Sequence, residues 1–471
     1  MKKENYLVAI DLGSSSVVVA VGCVADGRLK VVDFARNEVK GVVGGEIMNI
    51  EHVAAAIKET VGEVEQRLGV KIMDAYTGIS GRHIKCANYP YYVFVGGDGE
   101  VKEEAVRRLN DGMRNMQAPI GESILDRIPQ NYIIDGKGEE VSDPVGMFGR
   151  KLESTFSFVL GSNTPIERLN KALTRVELKQ GRIFVNALAS AEAVTLPDER
   201  EQGVAVVDIG AGTTDICIYH NDIVRYVGVI PLGADAINKD IRAYSIMDKY
   251  IEDLKIKFGY AVPDKAPNQK ILLPGRTSKE TKEVLVRNLS RIIEQRLVDI
   301  AEYVRKEIAD AGYEGKLGLG LVLTGGCANL KDIDLFFKQY TGLDVRIAAP
   351  DVECAEGLER RMDDPCFATA AGLLLKAQAT GRMSHVEEMR TISGVAAEPE
   401  QEPEPEEAAA PQPEGESWDS EPEPEEEERK SAPAAASRHK AAKPGITDRL
   451  KNWMNNIVSG FEVIDESNEK I

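Results

Sequence analysis

The 471-residue chain has no apolar run of 18 residues, only six cysteines, two tryptophans and five histidines, and a shortage of positive charge. Each shortage excludes something. Without a long apolar run no membrane-spanning helix is expected, since one needs about 20 such residues. Cys23, Cys86, Cys217, Cys327, Cys354 and Cys366 show neither the CxxC spacing of a zinc site nor the density of a disulfide scaffold, so free thiols in a reducing cytosol are expected. The opening MKKENYLVAIDLG is basic and then apolar, but Asp11 interrupts it and no small-residue cleavage site follows. It does not read as a signal peptide. With 58 Lys and Arg against 77 Asp and Glu, the formal charge of −19 leaves no basic face for nucleic-acid phosphates.

What is present is a packed body with an unusual end. At 43% hydrophobic residues the chain has enough to bury several domains of ordinary size. The negative charge is concentrated: residues 395–428 hold 15 Asp or Glu and no Lys or Arg, whereas residues 429–471 carry +3 and residues 1–394 only −7. The stretch from 393 to 445 is rich in Glu, Pro and Ala and has almost nothing to bury, so it reads as a disordered acidic linker.

The chain repeats itself at a separation of about 197 residues. LVAIDLGSSSVVVAV (from Leu7) and VAVVDIGAGTTDICIY (from Val204) are each an apolar strand, an Asp-x-Gly turn with small hydroxylated residues, and a second alternating strand. This predicts a duplicated α/β architecture of two halves facing one another. Helical spacing recurs at Val53–Leu68, Val101–Met116, Ala234–Phe258, Thr281–Ala311 and Pro365–Leu375, with strands at Tyr91–Val95, Leu152–Val159 and Leu317–Leu323.

In each repeat a carboxylate, Asp11 or Asp208, stands at a strand end before a small turn. Gly13, Ser14, Ser15 and Ser16 form one turn, and Gly210, Gly212, Thr213 and Thr214 the other. Small residues let backbone N–H groups approach phosphate oxygens, hydroxyls add donors, and a carboxylate can hold Mg²⁺ through its waters. One such turn is an ordinary strand connection, whereas two at a duplication distance can grip one polyphosphate from opposite sides. A third element, Gly325-Gly326-Cys327, follows a buried strand.

Together these three elements resemble the phosphate 1, phosphate 2 and adenosine motifs of the actin, Hsp70 and sugar-kinase superfamily. The resemblance implies ATP with Mg²⁺ as cofactors, Asp11 and Asp208 as the magnesium carboxylates, and Gly233, Glu252, Lys255, Gly325, Gly326 and Cys327 around the adenosine. Without the resemblance, Glu252 and Lys255 are a plain i, i+3 surface pair. Where hydrolytic relatives carry a Glu or Gln that positions water, this chain has Val185-Asn186-Ala187, and the matching position reads as Ala187. ATP binding with slow hydrolysis is therefore expected, and no catalytic residue is assigned.

The runs Ile79-Ser80-Gly81-Arg82-His83-Ile84, Ile128–Gly136 (IPQNYIIDG) and Asp143–Glu153 (DPVGMFGRKLE) resemble the FtsA family of bacterial cell-division proteins, over about residues 5–380. That resemblance implies a first half from 1–81, 161–201 and 361–392, an inserted subdomain at 82–160, a second half from 202–242 and 313–360, and an outer subdomain at 243–312. It further implies self-association into filaments, downstream division partners on 82–160, and binding of the FtsZ tail by the outer subdomain. Arg291 and Arg296 are candidates for gripping the tail's carboxylates, since Arg binds carboxylates bidentately.

The C-terminus carries its own signal. Ile446, Leu450, Trp453, Met454, Ile457, Val458 and Phe461 fall within an arc of about 140° on a helix over 446–464, with Arg449 and Lys451 at its edges. Residues 429–451 are net +6, which would draw this helix to an anionic membrane surface. Docking on the body or on a partner protein is the alternative. Joined with the FtsA resemblance, this implies a peripheral location on the cytoplasmic face of the inner membrane at the septum. A small-molecule kinase and a pilus-assembly adaptor of the same superfamily are the competing readings.

Overall fold

The structure, a computed structural model, describes residues 5–25, 27–136, 140–274, 281–358 and 362–388. These fall within one compact unit, 1–393. The whole of the linker predicted at 393–445, and of the terminal helix predicted at 446–464, lies outside the described residues.

Both repeats fold as a hairpin that starts a sheet. Tyr6–Leu12 pairs antiparallel with Ser16–Ala25, which pairs with Arg28–Glu38; the parallel strands Asp74–Ile79 and Lys179–Val185 continue on the other side. Val204–Ile209, Thr214–His220 and Ile223–Ile230 repeat that pattern, continued by Leu321–Thr324 and Val345–Ile347. Strand order is the same in both sheets, with Glu353–Cys354 added at the edge of the first. The opening strands are buried along nearly their whole length because helices cover both faces, which explains their continuous apolar character.

Two helices, Asn186–Val194 and Ala368–Ala379, pack between the sheets and against each other. Their Ala-rich sequences allow the backbones to touch: a Cβ on Gly372 would fall 1.7 Å from the carbonyl oxygen of Ala189. One apolar core therefore runs through both halves, from Leu7 and Ala9 to Val204 and Val206. On its outer face the first sheet is covered by Ile50–Leu68 and Asn163–Arg175. The former helix starts where Asn49 Oδ1 accepts from His52 N–H at 3.1 Å and stops at Gly69, whose φ of 68° an L side chain resists.

The insertion is a four-stranded antiparallel sheet with Lys85–Phe94 at one edge and Glu140–Val141 at the other, flanking Lys151–Ser162 and Glu122–Ile134. Helix Glu103–Arg114 seals one face by placing Ala105, Leu109 and Met113 against Leu152, Phe156 and Phe158.

Two expected helices are interrupted. Ala234–Ala243 and Asp248–Phe258 are separate, because Ser245 adopts a φ of 60° between them. Thr281–Leu285 is a strand paired with Lys270–Pro274, and the helix runs only from Val286 to Asp310. A pairing partner outweighed the helical spacing there.

Candidate functional site

The two Asp-x-Gly turns close alike. Gly13 N–H donates to the Ser16 carbonyl, and Gly210 N–H to the Thr213 carbonyl, each at 2.9 Å. They also meet: a Cβ on Gly212 would lie 2.3 Å from Ser14 Oγ. Ser15 is exposed, while Ser16 Oγ accepts from Arg36 Nε at 3.2 Å. Thr213 lies beside Ser80, the two hydroxyls 3.5 Å apart. Thr214 was expected to face phosphate, but it is fully buried and its hydroxyl donates to the Leu232 carbonyl at 2.8 Å. Thr213 closes the turn and Thr214 begins the strand Thr214–His220, with its hydroxyl turned to the Leu232 carbonyl.

Beneath the turns three carboxylates converge. Burial, and next the charge of Asp208, push the Asp11 carboxyl up to about 7, against the opposing pull of Arg36. Asp208 is also raised by burial, countered by the Thr369 hydroxyl, which donates to its Oδ2 at 2.9 Å. Asp215 is raised well above the usual range by burial and then by Asp208, while Ser80 Oγ donates to its Oδ1 at 2.5 Å. Crowded carboxylates of this kind are what a divalent cation would relieve. Among the described residues no group of three His, Cys, Asp or Glu stands close enough to ligate a metal alone. The neighbouring Asp11, Asp208 and Asp215 carboxylates are the kind of donors that fit Mg²⁺ held through water and phosphate oxygens.

At the start of its helix, Asn186 rather than Ala187 faces the cleft. Asn186 Nδ2 donates to Asp11 Oδ1 at 3.5 Å, and its Oδ1 is buried without a partner. Ala187 is 1% exposed and packs into the core. Ala187, expected at the water-positioning place, thus lies in the core, and the residue of this helix start that reaches Asp11 is Asn186. Sequence reading also missed Asp215, Ser80 and Thr369. Only Asp215 had a local signal, its place directly after the second turn's threonines.

The adenosine candidates gather on the second half. Gly233 precedes the helix Ala234–Ala243 and sits so close to the second turn that a Cβ would meet the Gly210 and Ala211 carbonyls at 2.6 and 2.5 Å. Gly325, with φ 85°, is equally confined, since a Cβ there would meet Asp208 Oδ1 at 2.2 Å. Gly326 opens the short helix Gly326–Asn329, in which burial pushes the Cys327 thiol up to about 11. Lys255 is 8% exposed, so it is no plain surface partner. Its Nζ donates to Glu252 Oε2 at 2.8 Å, and Asn238 Nδ2 donates to the same oxygen at 2.7 Å.

Arg296 already has its carboxylates. It grips Asp240 with Nε and Nη2 at 2.9 and 3.0 Å and Asp299 with Nη1 at 2.9 Å, which ties the long helix to Ala234–Ala243. The role of peptide receiver expected of it is therefore withdrawn. Arg291 is exposed on the same helix. The membrane candidates Ile446, Arg449, Leu450, Lys451, Trp453, Met454, Ile457, Val458 and Phe461 lie outside the described residues.

Two like-ordered sheets, two matched turns meeting between them and an inserted α+β subdomain define an actin-like protein. Among solved structures, the PilM–PilN type IV pilus biogenesis complex shares the fold, with a TM-score of 0.55 at 18% identity over 79% of this chain and 98% of that chain. Residues 205–372 match the family described as cell division protein FtsA, and residues 81–160 match the SHS2 domain inserted in FTSA. Cell division protein FtsA of Neisseria meningitidis serogroup B is 33% identical over 377 residues, 79% of this chain and 90% of that relative. That of Pseudomonas aeruginosa is 32% identical over 378 residues, 80% and 90% of the two chains. The chain belongs to the FtsA family of cell-division proteins.

Proposed function

We propose that the chain binds ATP with Mg²⁺ between its two turns, polymerises on the inner face of the cytoplasmic membrane, and tethers the FtsZ ring there. The observation that carries the nucleotide reading is the meeting of Ser14 and Gly212 above the Asp11, Asp208 and Asp215 carboxylates. When bound, Mg²⁺ would supply charge neutralisation to the phosphates. Asp11 and Asp208 would hold its waters, and the turns' N–H groups and the Ser14 and Thr213 hydroxyls would orient phosphate oxygens. Glu252 and Lys255 would bound the adenosine from the outer subdomain. Asn186 is shorter than the Glu or Gln of hydrolytic relatives and its Nδ2 is engaged with Asp11, which supports at most a slow ATPase.

Family membership supports division-machinery partners, with Arg291 offered to carboxylates of the FtsZ tail and 82–160 to downstream proteins and neighbouring copies. The terminal apolar stripe supplies the membrane contact. Burying five large side chains at about 1.5–3 kcal/mol each sets an upper bound near 8–15 kcal/mol, from which folding on the membrane subtracts about 2–5 kcal/mol or more. A filament would present many such anchors together, so that polymerisation strengthens attachment.

Sedimentation with and without ATP, anionic liposomes and an FtsZ tail peptide tests the reading. Co-pelleting with liposomes should need ATP and Trp453, and Trp453→Glu should abolish it. Undiminished co-sedimentation of Trp453→Glu would refute the anchor. Absence of pelleting under every condition would favour a small-molecule kinase.

A further inference from the structure

Neither phosphate turn carries a cation. From Asp11 to Ser16 and from Asp208 to Thr214 there is no Lys or Arg, although Asp11, Asp208 and Asp215 lie beneath and a polyphosphate would add further negative charge. A cation does reach the site, from the third strand of the first sheet. Asp11 stands opposite Val18 and Val18 opposite Arg36, so the three side chains share one face of the sheet. That face is the inner one, since Val18 packs in the core with Leu7 and Ala9.

Arg36 lies at the end of the sheet that bears the first turn. Val39 N–H donates to the Ser15 carbonyl at 3.0 Å, and Arg36 Nε donates to Ser16 Oγ at 3.2 Å. On its other side Arg36 Nη1 donates to Cys366 Sγ at 3.5 Å. Cys366 follows Pro365, whose carbonyl accepts from Gly325 N–H at 3.2 Å. The guanidinium therefore spans the gap between the first turn and the segment behind the Gly325-Gly326 pair.

Both of these acceptors are neutral, so neither offsets the charge. Among the described residues no carboxylate oxygen comes within 4.0 Å of Arg36, whereas Arg67, Arg296 and Arg346 each hold one at 2.8 Å or less. Arg36 is exposed, and its Nη2 has no hydrogen-bond partner among the described residues. Its field reaches the cleft floor: the Asp11 carboxyl, pushed up by burial and then by Asp208, is drawn back by Arg36.

We infer that Arg36 is a phosphate ligand of the cleft, a cation that the first half supplies to the polyphosphate of a bound nucleotide in place of a basic residue in either turn. The inference rests on the phosphate reading of the two turns. Ser16 and Cys366 fix the fork of the guanidinium without neutralising it, so its charge stays available to an anion.

Calorimetric titrations of the full chain with ATP and with adenosine provide the test. Arg36→Ala should weaken ATP by at least about tenfold and leave adenosine within about twofold of wild type, because adenosine has no phosphate to lose. Arg36→Lys keeps the charge and should keep ATP affinity within about threefold. Added NaCl should weaken ATP binding more steeply in wild type than in Arg36→Ala, since one attractive charge has gone. Unchanged ATP affinity in Arg36→Ala, equal loss of ATP and adenosine, or an Arg36→Lys protein as weak as Arg36→Ala overturns the assignment. A wild-type chain that binds no ATP brings down the phosphate reading itself, whereas equal ATP binding by wild type and Arg36→Ala brings down Arg36 alone.

Discussion

Ser14 and Gly212 touch across the cleft: a Cβ on Gly212 would come within 2.3 Å of Ser14 Oγ and 3.0 Å of the Gly44 nitrogen. Only glycine allows the two turns to close this far. Gly212→Ala should therefore weaken ATP binding by about tenfold, or ~1.4 kcal/mol. Adding Ser14→Ala should recover part of the loss by clearing the obstructing oxygen. Calorimetric titration of both variants checks this, and an unchanged affinity in Gly212→Ala would remove the turn contact from the site.

Asn186 beside Asp11 predicts slow chemistry. Asn186 is one methylene shorter than the Gln of hydrolytic relatives and its Nδ2 is engaged with Asp11 Oδ1, so turnover should stay below about 0.1 s⁻¹, under the 1–100 s⁻¹ usual for kinases. Asn186→Ala should lower it further and leave ATP affinity within about twofold, since the group acts on water rather than on binding energy. A phosphate-release assay reads this directly, and turnover at the kinase level would contradict it.

The carboxylate cluster predicts an unusual pH response. Asp11, at about 7, binds more protons folded than unfolded across the interval from about 4 to 7, because unfolded Asp titrates near 3.9. Raised folded values at Asp208 and Asp215 act in the same direction. Stability of the nucleotide-free protein should thus fall as pH rises through that interval. Thermal melts at pH 5.5 and 8 should show the higher midpoint at 5.5, Asp11→Asn should flatten the difference, and Mg²⁺ with ATP should reduce it. A higher midpoint at pH 8 would show that these groups do not titrate as described.

Arg296 and Arg291 should separate structure from recognition. Arg296 and Asp240 are 13% and 11% exposed at their side chains, so Arg296→Ala leaves a buried carboxylate unpaired and should cost about 3–5 kcal/mol. Arg291→Ala, on the exposed face, should change stability by less than about 0.5 kcal/mol while weakening an FtsZ tail peptide. Chemical denaturation and peptide titration together read both. Full peptide affinity in Arg291→Ala would move the peptide site elsewhere.

Local pattern carried the architecture well wherever a repeat or an apolar period was present. Both hairpins, both Asp-x-Gly turns and the helix over Ile50–Leu68 depend on residues close in sequence, so their chemistry is visible in a line of text. Thr214 and Ala187 show the limit. Thr214 is read from the turn motif and Ala187 from the likeness to hydrolytic relatives, and each lies buried, with Thr214 bonded to the Leu232 carbonyl and Ala187 in the core. Arg296 meets Asp240 across 56 residues and Asp208 meets Thr369 across 161, and nothing local marks either pairing.

By itself the sequence determined that two similar halves exist, that each offers a small-residue turn behind a carboxylate, and that the acidic charge is segregated from the folded body. Backbone propensity and side-chain period suffice for those, since both act over a few residues. Only the tertiary structure decided that Ser14 meets Gly212, that Arg36 meets Cys366, and that Arg296 is already bound. Those facts arise from packing two sheets through Gly372 and Ala189, and the resulting distances depend on the whole core rather than on any segment of it.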